Sequence, residues 1–210
     1  MKKILLTGAL LLATTAANAG EWKTSCKSKY SNWFGAYTFE VDKGQVGGCK
    51  SDKRRQEYPG ISWDWSERSE VMSTYHNKFG QFEWSATIDI DRKCQPAHRN
   101  TLFQVHAGGR GSPPSWIGIN RYNKFRTNKS GGGTSVTVPN RPFKLTAKIN
   151  ATKKDVKVDY FIDDKFLITT QSYAMGDGYG KMYFKFGVYR VNSNCTIKQT
   201  YTNVKLKRVK

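Results

Sequence analysis

Strict alternation of apolar and polar residues is the feature that most limits how this chain can fold. From Phe82 to Ile90 every second residue is apolar, and each residue between them is polar. The segments Phe143–Ile149 and Val156–Ile162 repeat the pattern, with Phe161 as the one departure. Because alternate side chains of a strand face the same side, each segment predicts a β-strand with one buried face and one solvated face.

Turn-forming residues separate the predicted strands. Glycine-rich stretches occupy 108–114, 130–133 and 176–180, and Asp163–Lys165 predicts a hairpin turn. No long stretch shows helical periodicity. Many short strands joined by such turns are typical of antiparallel sandwiches. We therefore expect an all-β fold, an antiparallel β-jelly roll or concanavalin-like sandwich that forms a single domain.

The first 19 residues have the features of a bacterial secretory signal peptide. Two lysines supply a positive start, Ile4–Ala13 is a short apolar run, and Ala17–Ala19 has the small residues of a cleavage site. The apolar run is too short to span a bilayer. We therefore expect a signal peptide over 1–19, a mature domain over 20–210, and a secreted or periplasmic location.

The chain carries a formal charge of +19, which falls to +17 when the two lysines of the signal peptide are removed. Such an excess repels itself and usually reflects an acidic partner. Nucleic acid, an anionic membrane and an acidic polysaccharide all fit the charge alone. The lysines are spread along the predicted strands rather than gathered in a tail, which argues against a disordered basic arm.

Four cysteines in a chain that is expected to be exported indicate two disulfides. Three pairings are possible, and we favour Cys26–Cys49 together with Cys94–Cys195. No CxxC motif is present and the chain has only three histidines, so we expect no zinc site. We expect no cofactor or metal, and a structural calcium ion stays an open alternative.

Polar side chains line up in three strand-like segments, Arg68–Val71, Phe103–His106 and Tyr183–Arg190. Residues two apart in a strand share a face and lie about 6.6 Å from each other. In the second segment, Gln104 and His106 therefore point the same way.

The third segment has one apolar face and one polar face. Its even-numbered residues are apolar up to Val188, whereas Tyr183, Lys185 and Tyr189 would point to the other side. Gly187 lies among them without a side chain, which we expect to leave room for a ligand near the backbone.

These residue types suit β-elimination from a 4-linked uronic acid. A base removes the proton on C5, beside the carboxylate, and the C4–O bond then breaks. Donors that hold the carboxylate stabilise the enolate-like species by roughly 3–4 kcal/mol each, and Arg68 and Gln104 are the expected clamp. Tyr189, beside positive side chains that favour its phenolate, could act as base, acid or both. His106, which can be neutral near pH 7, is the other candidate base.

In their order along the chain, Arg68–Glu70, Gln104–His106 and Tyr183–Tyr189 resemble the three signature motifs of the alginate-lyase family, polysaccharide lyase family seven. Glucuronan lyases and heparinase-I-like lyases are relatives on the same jelly roll. Two positions depart from the family pattern: Met72 stands where a second arginine is usual, and Arg190 begins a pair that replaces the usual Asn-Gln.

The resemblance implies that Arg68 and Gln104 neutralise the substrate carboxylate. It makes His106 the base or a group that positions the carboxylate, and Tyr189 the acid, or both acid and base. The remaining residues that we expect to bind substrate are Lys185, Glu70, Tyr183, Arg190 and Arg121. Glu70 could instead serve to orient Arg68.

We therefore expect a secreted polysaccharide lyase that cleaves an alginate-like polymer, glucuronan or a glycosaminoglycan by β-elimination. Its partner would be the anionic polysaccharide, bound by a monomer, with no nucleic acid and no membrane involved. Two alternatives stay open: a non-catalytic, lectin-like module for acidic glycans, and a basic protein that binds nucleic acid or the cell envelope. A glycoside hydrolase fits poorly, because it needs two carboxylates and the three segments offer only Glu70.

Overall fold

The computed structural model describes residues 22–25, 30–42, 66–74, 76, 79–91, 93–94, 99–108, 112–128, 133–174, 178–191 and 195–210. Among these residues every regular element is a β-strand. None of them forms a helix long and apolar enough to cross a membrane. The expected signal peptide and the expected Cys26–Cys49 bridge lie outside the described residues.

Within the described residues, fourteen strands form two antiparallel sheets of seven strands each. The first, which we call sheet A, has the spatial order β1 (Lys23–Ser25), β4 (Ser66–Met72), β13 (Met182–Val191), β6 (Arg99–Ala107), β7 (Ser115–Asn120), β8 (Lys124–Thr127) and β9 (Gly133–Thr137). The second, sheet B, has the order β12 (Lys165–Tyr173), β11 (Asp155–Ile162), β10 (Phe143–Ala151), β5 (Gly80–Ile90), β14 (Ile197–Arg208), β3 (Ala36–Val41) and β2 (Tyr30–Trp33). The expected all-β antiparallel sandwich is confirmed.

The alternation seen in the sequence decides which face of each strand is buried. In β5 the apolar residues from Phe82 to Ile88 are buried, while the polar residues between them are more exposed. The predicted hairpin is also present: β11 and β12 are joined by Asp163 and Asp164, both with positive φ. Two such residues in a two-residue loop match the twist of the flanking strands.

Aromatic side chains hold the two sheets together. Trp84 of sheet B stacks on Phe103 of sheet A with ring centroids 4.2 Å apart, and Phe186 of sheet A packs against Trp84 and Tyr201. All four side chains are fully buried. Because such rings bury large apolar areas, these contacts fix the positions of β6 and β13. The opposite faces of those two strands carry the polar residues of interest.

The expected Cys94–Cys195 disulfide is present, with Cα atoms 5.5 Å apart. Cys94 follows β5 and Cys195 precedes β14, and these two strands are neighbours in sheet B. The bond therefore links the end of β5 to the start of β14, at one end of this strand pair.

Candidate functional site

The three polar segments lie side by side because β13 is paired with β4 on one side and with β6 on the other. Tyr189 is opposite Arg68, while Lys185 is opposite Gln104 and Tyr183 is opposite His106. These six residues therefore share the face of sheet A that points away from the sandwich core.

A groove of about 750 Å³ runs over this face. Its walls include Arg68, Gln104, His106 and Tyr189, four of the residues expected from the sequence. The other residues that line it are Arg99, Thr101, Ser112, Pro113, Pro114, Trp116, Asn128, Ser172, Tyr173 and Tyr179. Cationic, amide, imidazole and phenol groups thus meet in one concave site.

Glu70, Gln104 and His106 form a hydrogen-bonded chain beside the groove. Gln104 Nε2 donates to Glu70 Oε1, and Gln104 Oε1 lies 3.0 Å from His106 Nε2. Arg68 Nη1 lies 3.8 Å from the second oxygen of Glu70. Glu70 and Gln104 are only 1% and 3% exposed, so neither has room to change partners freely.

The hydrogen bonds between Glu70, Gln104 and His106 determine which imidazole nitrogen of His106 carries the proton. An ionised carboxylate only accepts hydrogen bonds, so Glu70 must face the amide nitrogen of Gln104. The amide oxygen then faces His106, which must donate from Nε2. The neutral imidazole is therefore assigned as the Nε2–H tautomer, with a lone pair on Nδ1. The second amide hydrogen of Gln104 is left as a donor for a ligand.

Burial is the main reason why the pKa of His106 is lowered to about 3. The nearby charges of Lys185 and Arg68 lower this pKa further. Both effects disfavour the imidazolium, so His106 is neutral across the physiological pH range.

Tyr189 lies among positive charges and aromatic rings. The guanidinium carbon of Arg68 is 4.2 Å from the centre of the Tyr189 ring, and that of Arg99 is 5.6 Å from it. Arg99 also covers Trp116, with its guanidinium carbon 5.0 Å from that ring. The Tyr189 ring therefore lies between two guanidinium groups.

Arg99 was not expected from the sequence, and a β-bulge explains why it was missed. The pairing of β6 with β7 shifts by one residue between Thr101 and Phe103. Regular alternation from Gln104 would place Arg99 on the core side. The extra residue reverses the alternation, so Arg99 and Thr101 line the groove together with Gln104.

Tyr183 and Lys185 lie next to the groove rather than among its lining residues. The Tyr183 ring stacks on His106, with centroids 4.9 Å apart and an angle of 18° between the planes. Lys185 is 7% exposed, and its ammonium group is 5.8 Å from the Tyr183 ring centre. Tyr183 therefore packs against the imidazole, and the charge of Lys185 lies near His106. Substrate binding by Tyr183 and Lys185 stays a prediction.

Arg190 does not lie where substrate binding would require. It follows Tyr189 in β13 and therefore points to the opposite face, where its side chain is 0% exposed. Its guanidinium donates to the carbonyl groups of Cys195 and Asp42. The prediction that Arg190 binds substrate is wrong, because it is buried on the face of sheet A away from the groove.

Arg121 lies in the exposed turn after β7, where it donates to the Tyr122 hydroxyl at 2.7 Å. It is not one of the residues that line the groove. Its role in substrate binding stays a prediction.

Gly187 also has a role that was not expected from the sequence. Its φ is +131°, and a Cβ atom there would overlap the Ser69 carbonyl oxygen and approach Glu70 Cα at 2.9 Å. The position that a Cβ atom would take at Gly187 is thus occupied by the backbone of β4, and Gly187 is not among the residues that line the groove. The expected room for a ligand stays a prediction. Glycine lets β4 and β13 approach closely beside Glu70 and Tyr189.

The described residues contain no cluster of three or more His, Cys, Asp or Glu side chains placed to hold a metal ion. The groove residues are instead hydrogen-bond donors, aromatic rings and fixed positive charges. This set is suited to holding an anion and moving a proton.

No protein-family model matches this chain, and no curated protein sequence matches it. Solved structures do share its fold. Alginate lyase AlgAT5 of polysaccharide lyase family 7 has a TM-score of 0.57 at 13% identity, over 88% of this chain and 84% of its own. An alginate lyase from Klebsiella pneumoniae gives 0.51 at 13% identity, over 86% and 84%. A sialidase gives 0.56 at 9% identity, over 90% of this chain but 17% of its own. At these identities the likeness establishes the jelly-roll fold, which lyases and other glycan-active proteins have in common.

Proposed function

We propose that this protein is a polysaccharide lyase that cleaves a 4-linked uronic-acid polymer by β-elimination. The observation that carries the proposal is the position of Tyr189 between Arg68 and Arg99, in the same groove as the Gln104–His106 pair. The fold shared with two alginate lyases supports it.

Arg68 and Gln104 would bind the carboxylate of the reacting sugar. Gln104 is held at both ends, by Glu70 and His106, so its free amide hydrogen is already aimed when the substrate arrives. A donor fixed before the reaction needs no reorganisation as charge moves onto the carboxylate, which is the main source of its catalytic benefit.

Tyr189 is better suited than His106 to remove the C5 proton. Holding a proton at pH 7 on a group with a pKa of about 3 costs roughly 5 kcal/mol. Tyr189 is the other proton-transfer group in the groove, and its ring lies against both Arg68 and Arg99. The C5–H electron pair would form the C4–C5 double bond as the C4–O4 bond breaks. The proton gained by Tyr189 would then pass to O4, which restores the phenolate.

The reaction can be followed without a label, because the product contains a C4–C5 double bond conjugated to the carboxylate. Ultraviolet absorbance would be recorded with polymannuronate, polyguluronate, glucuronan, heparin and hyaluronan. We expect a steady rise on at least one of them. A flat trace on all five with measurable binding would contradict the proposal and favour a non-catalytic module for acidic glycans. A protein that binds none of them would contradict both.

We predict that Glu70→Gln lowers kcat by roughly 100-fold, the usual loss when one preorganised donor is removed. The new amide can donate to Gln104 Oε1, so Gln104 can reverse and present its nitrogen to His106. His106 would then carry its proton on Nδ1. The ¹⁵N chemical shifts of its imidazole would report this change of tautomer directly.

Glu83→Gln is the matched control, because Glu83 pairs with Lys207 at 3.1 Å on the outer face of sheet B. This variant should keep wild-type kcat and the Nε2–H form of His106. If Glu70→Gln also keeps both, Glu70 does not orient the amide.

A further inference from the structure

Arg99 is a charged group in the groove wall that has no ionic partner among the described residues. It is half-buried in the groove wall, and its Nε is buried without a hydrogen-bond partner. Its contacts are with the faces of Trp116 and Tyr189, and within the described residues no carboxylate pairs with it. A guanidinium in a groove wall with a buried, unsatisfied Nε and no carboxylate partner among the described residues can receive an anion.

Arg99 and Arg68 reach Tyr189 from different strands. Arg68 belongs to β4 and Arg99 to β6, and β13 with Tyr189 lies between them. If Arg68 and Gln104 hold the carboxylate of the reacting sugar, Arg99 lies on the other side of the reacting phenol. A chain that crosses the groove would bring the next sugar of the polymer to this side.

Trp116 adds a second reason to place an anion here, because it holds the Arg99 side chain in the groove wall. Trp116 is 8% exposed and lies under the guanidinium, whose carbon is 5.0 Å from the ring centre. A planar guanidinium held in this way can form paired hydrogen bonds with a carboxylate or sulfate on a sugar.

We propose that Arg99 forms a second anion subsite for the sugar next to the reacting uronate, so that the preferred substrate carries acidic groups on consecutive sugars. This inference rests on the proposed lyase function. It favours polyuronates, with a carboxylate on every residue, over polymers such as hyaluronan in which a neutral amino sugar alternates with the uronate. Heparin, with sulfate on the neighbouring sugar, would also place an anion beside Arg99.

Binding would be measured by calorimetry in a Tyr189→Phe background, where the ligand is not cleaved. The ligands would be size-matched oligomers of mannuronate, hyaluronan and heparin. We expect Arg99→Gln to weaken mannuronate binding about tenfold or more, since a charge-assisted hydrogen-bonded pair is lost. Hyaluronan binding should change less than twofold. An effect on heparin alone would identify sulfate rather than carboxylate as the anion.

Two controls separate a subsite from a general charge effect. Lys157→Gln removes one exposed positive charge from sheet B and should leave all three affinities within twofold of the parent. Arg99→Lys keeps the charge but loses the paired hydrogen bonds, so it should recover only part of the affinity. Thermal unfolding would establish that each variant folds.

Equal weakening of mannuronate and hyaluronan binding would overturn the second subsite. So would affinities for both mannuronate and heparin that do not change. A parent that binds none of the three ligands would overturn it as well. The binding readout is independent of turnover: a protein that binds but never cleaves would contradict the lyase proposal while still giving a result for Arg99.

Discussion

Tyr189→Phe should lower kcat by about 10⁴-fold, the upper end of the range for general acid–base catalysis, because one phenol would serve as both base and acid. The ring stays in place against Arg68, so binding of the polymer should change little. Initial rates of ultraviolet absorbance and the affinity for an uncleaved oligomer would measure the two effects separately.

Tyr30→Phe is a suitable control, since Tyr30 lies on the edge strand β2 of sheet B and packs against Tyr37 and Phe39. It also loses one phenol hydroxyl and should keep wild-type kcat. A Tyr189→Phe variant with more than a tenth of wild-type activity would show that this hydroxyl does not carry the proton. His106 would then have to be reconsidered as the base, despite its low pKa.

Gly187→Ala should reduce the free energy of unfolding by roughly 3–5 kcal/mol. Part of the loss is the strain of a non-glycine residue at φ +131°, about 1–3 kcal/mol. The rest comes from overlap with the Ser69 carbonyl and Glu70 Cα, which are backbone atoms in a paired strand and cannot simply turn aside. Urea unfolding of the purified variant would measure the loss.

Gly35→Ala separates the two contributions. Gly35 also has a positive φ, +78°, but a Cβ there would meet no atom within 4 Å. Only the conformational cost of a left-handed alanine, roughly 1–2 kcal/mol, should therefore appear. If the two alanine variants lose the same stability, close contact between β4 and β13 at Gly187 is not needed for the fold.

The fold could be predicted because the relevant information is local. Alternation over Phe82–Ile90 shows which side of a strand is buried, and Asp163 with Asp164 marks a tight hairpin. The Cys94–Cys195 bridge was favoured among the possible pairings and is present. The order of strands within each sheet is not local, since β13 lies between β4 and β6 only after the whole chain has folded.

The site was partly predictable for the same reason. Residues two apart, such as Gln104 and His106, share a face in any regular strand, and the structure places both in the groove. Arg190 follows Tyr189 directly, so alternation alone argued against its presence in the groove. Arg99 could not be recognised, because the bulge that turns it toward the groove depends on how β6 pairs with β7. No residue pattern near Leu102 predicts this bulge.

The stability of the protein depends on whether the Cys94–Cys195 bond has formed. It closes a ring of about 100 residues, for which the chain-entropy model gives a contribution of about 4.7 kcal/mol to folding. That is comparable to the entire stability of many domains, about 5–15 kcal/mol. The ring contains Gln104, His106 and Tyr189, whereas Arg68 and Glu70 lie outside it. With its thiols reduced, the chain would keep the sequence of the site but lose much of the free energy that assembles it, so full stability depends on an oxidising environment.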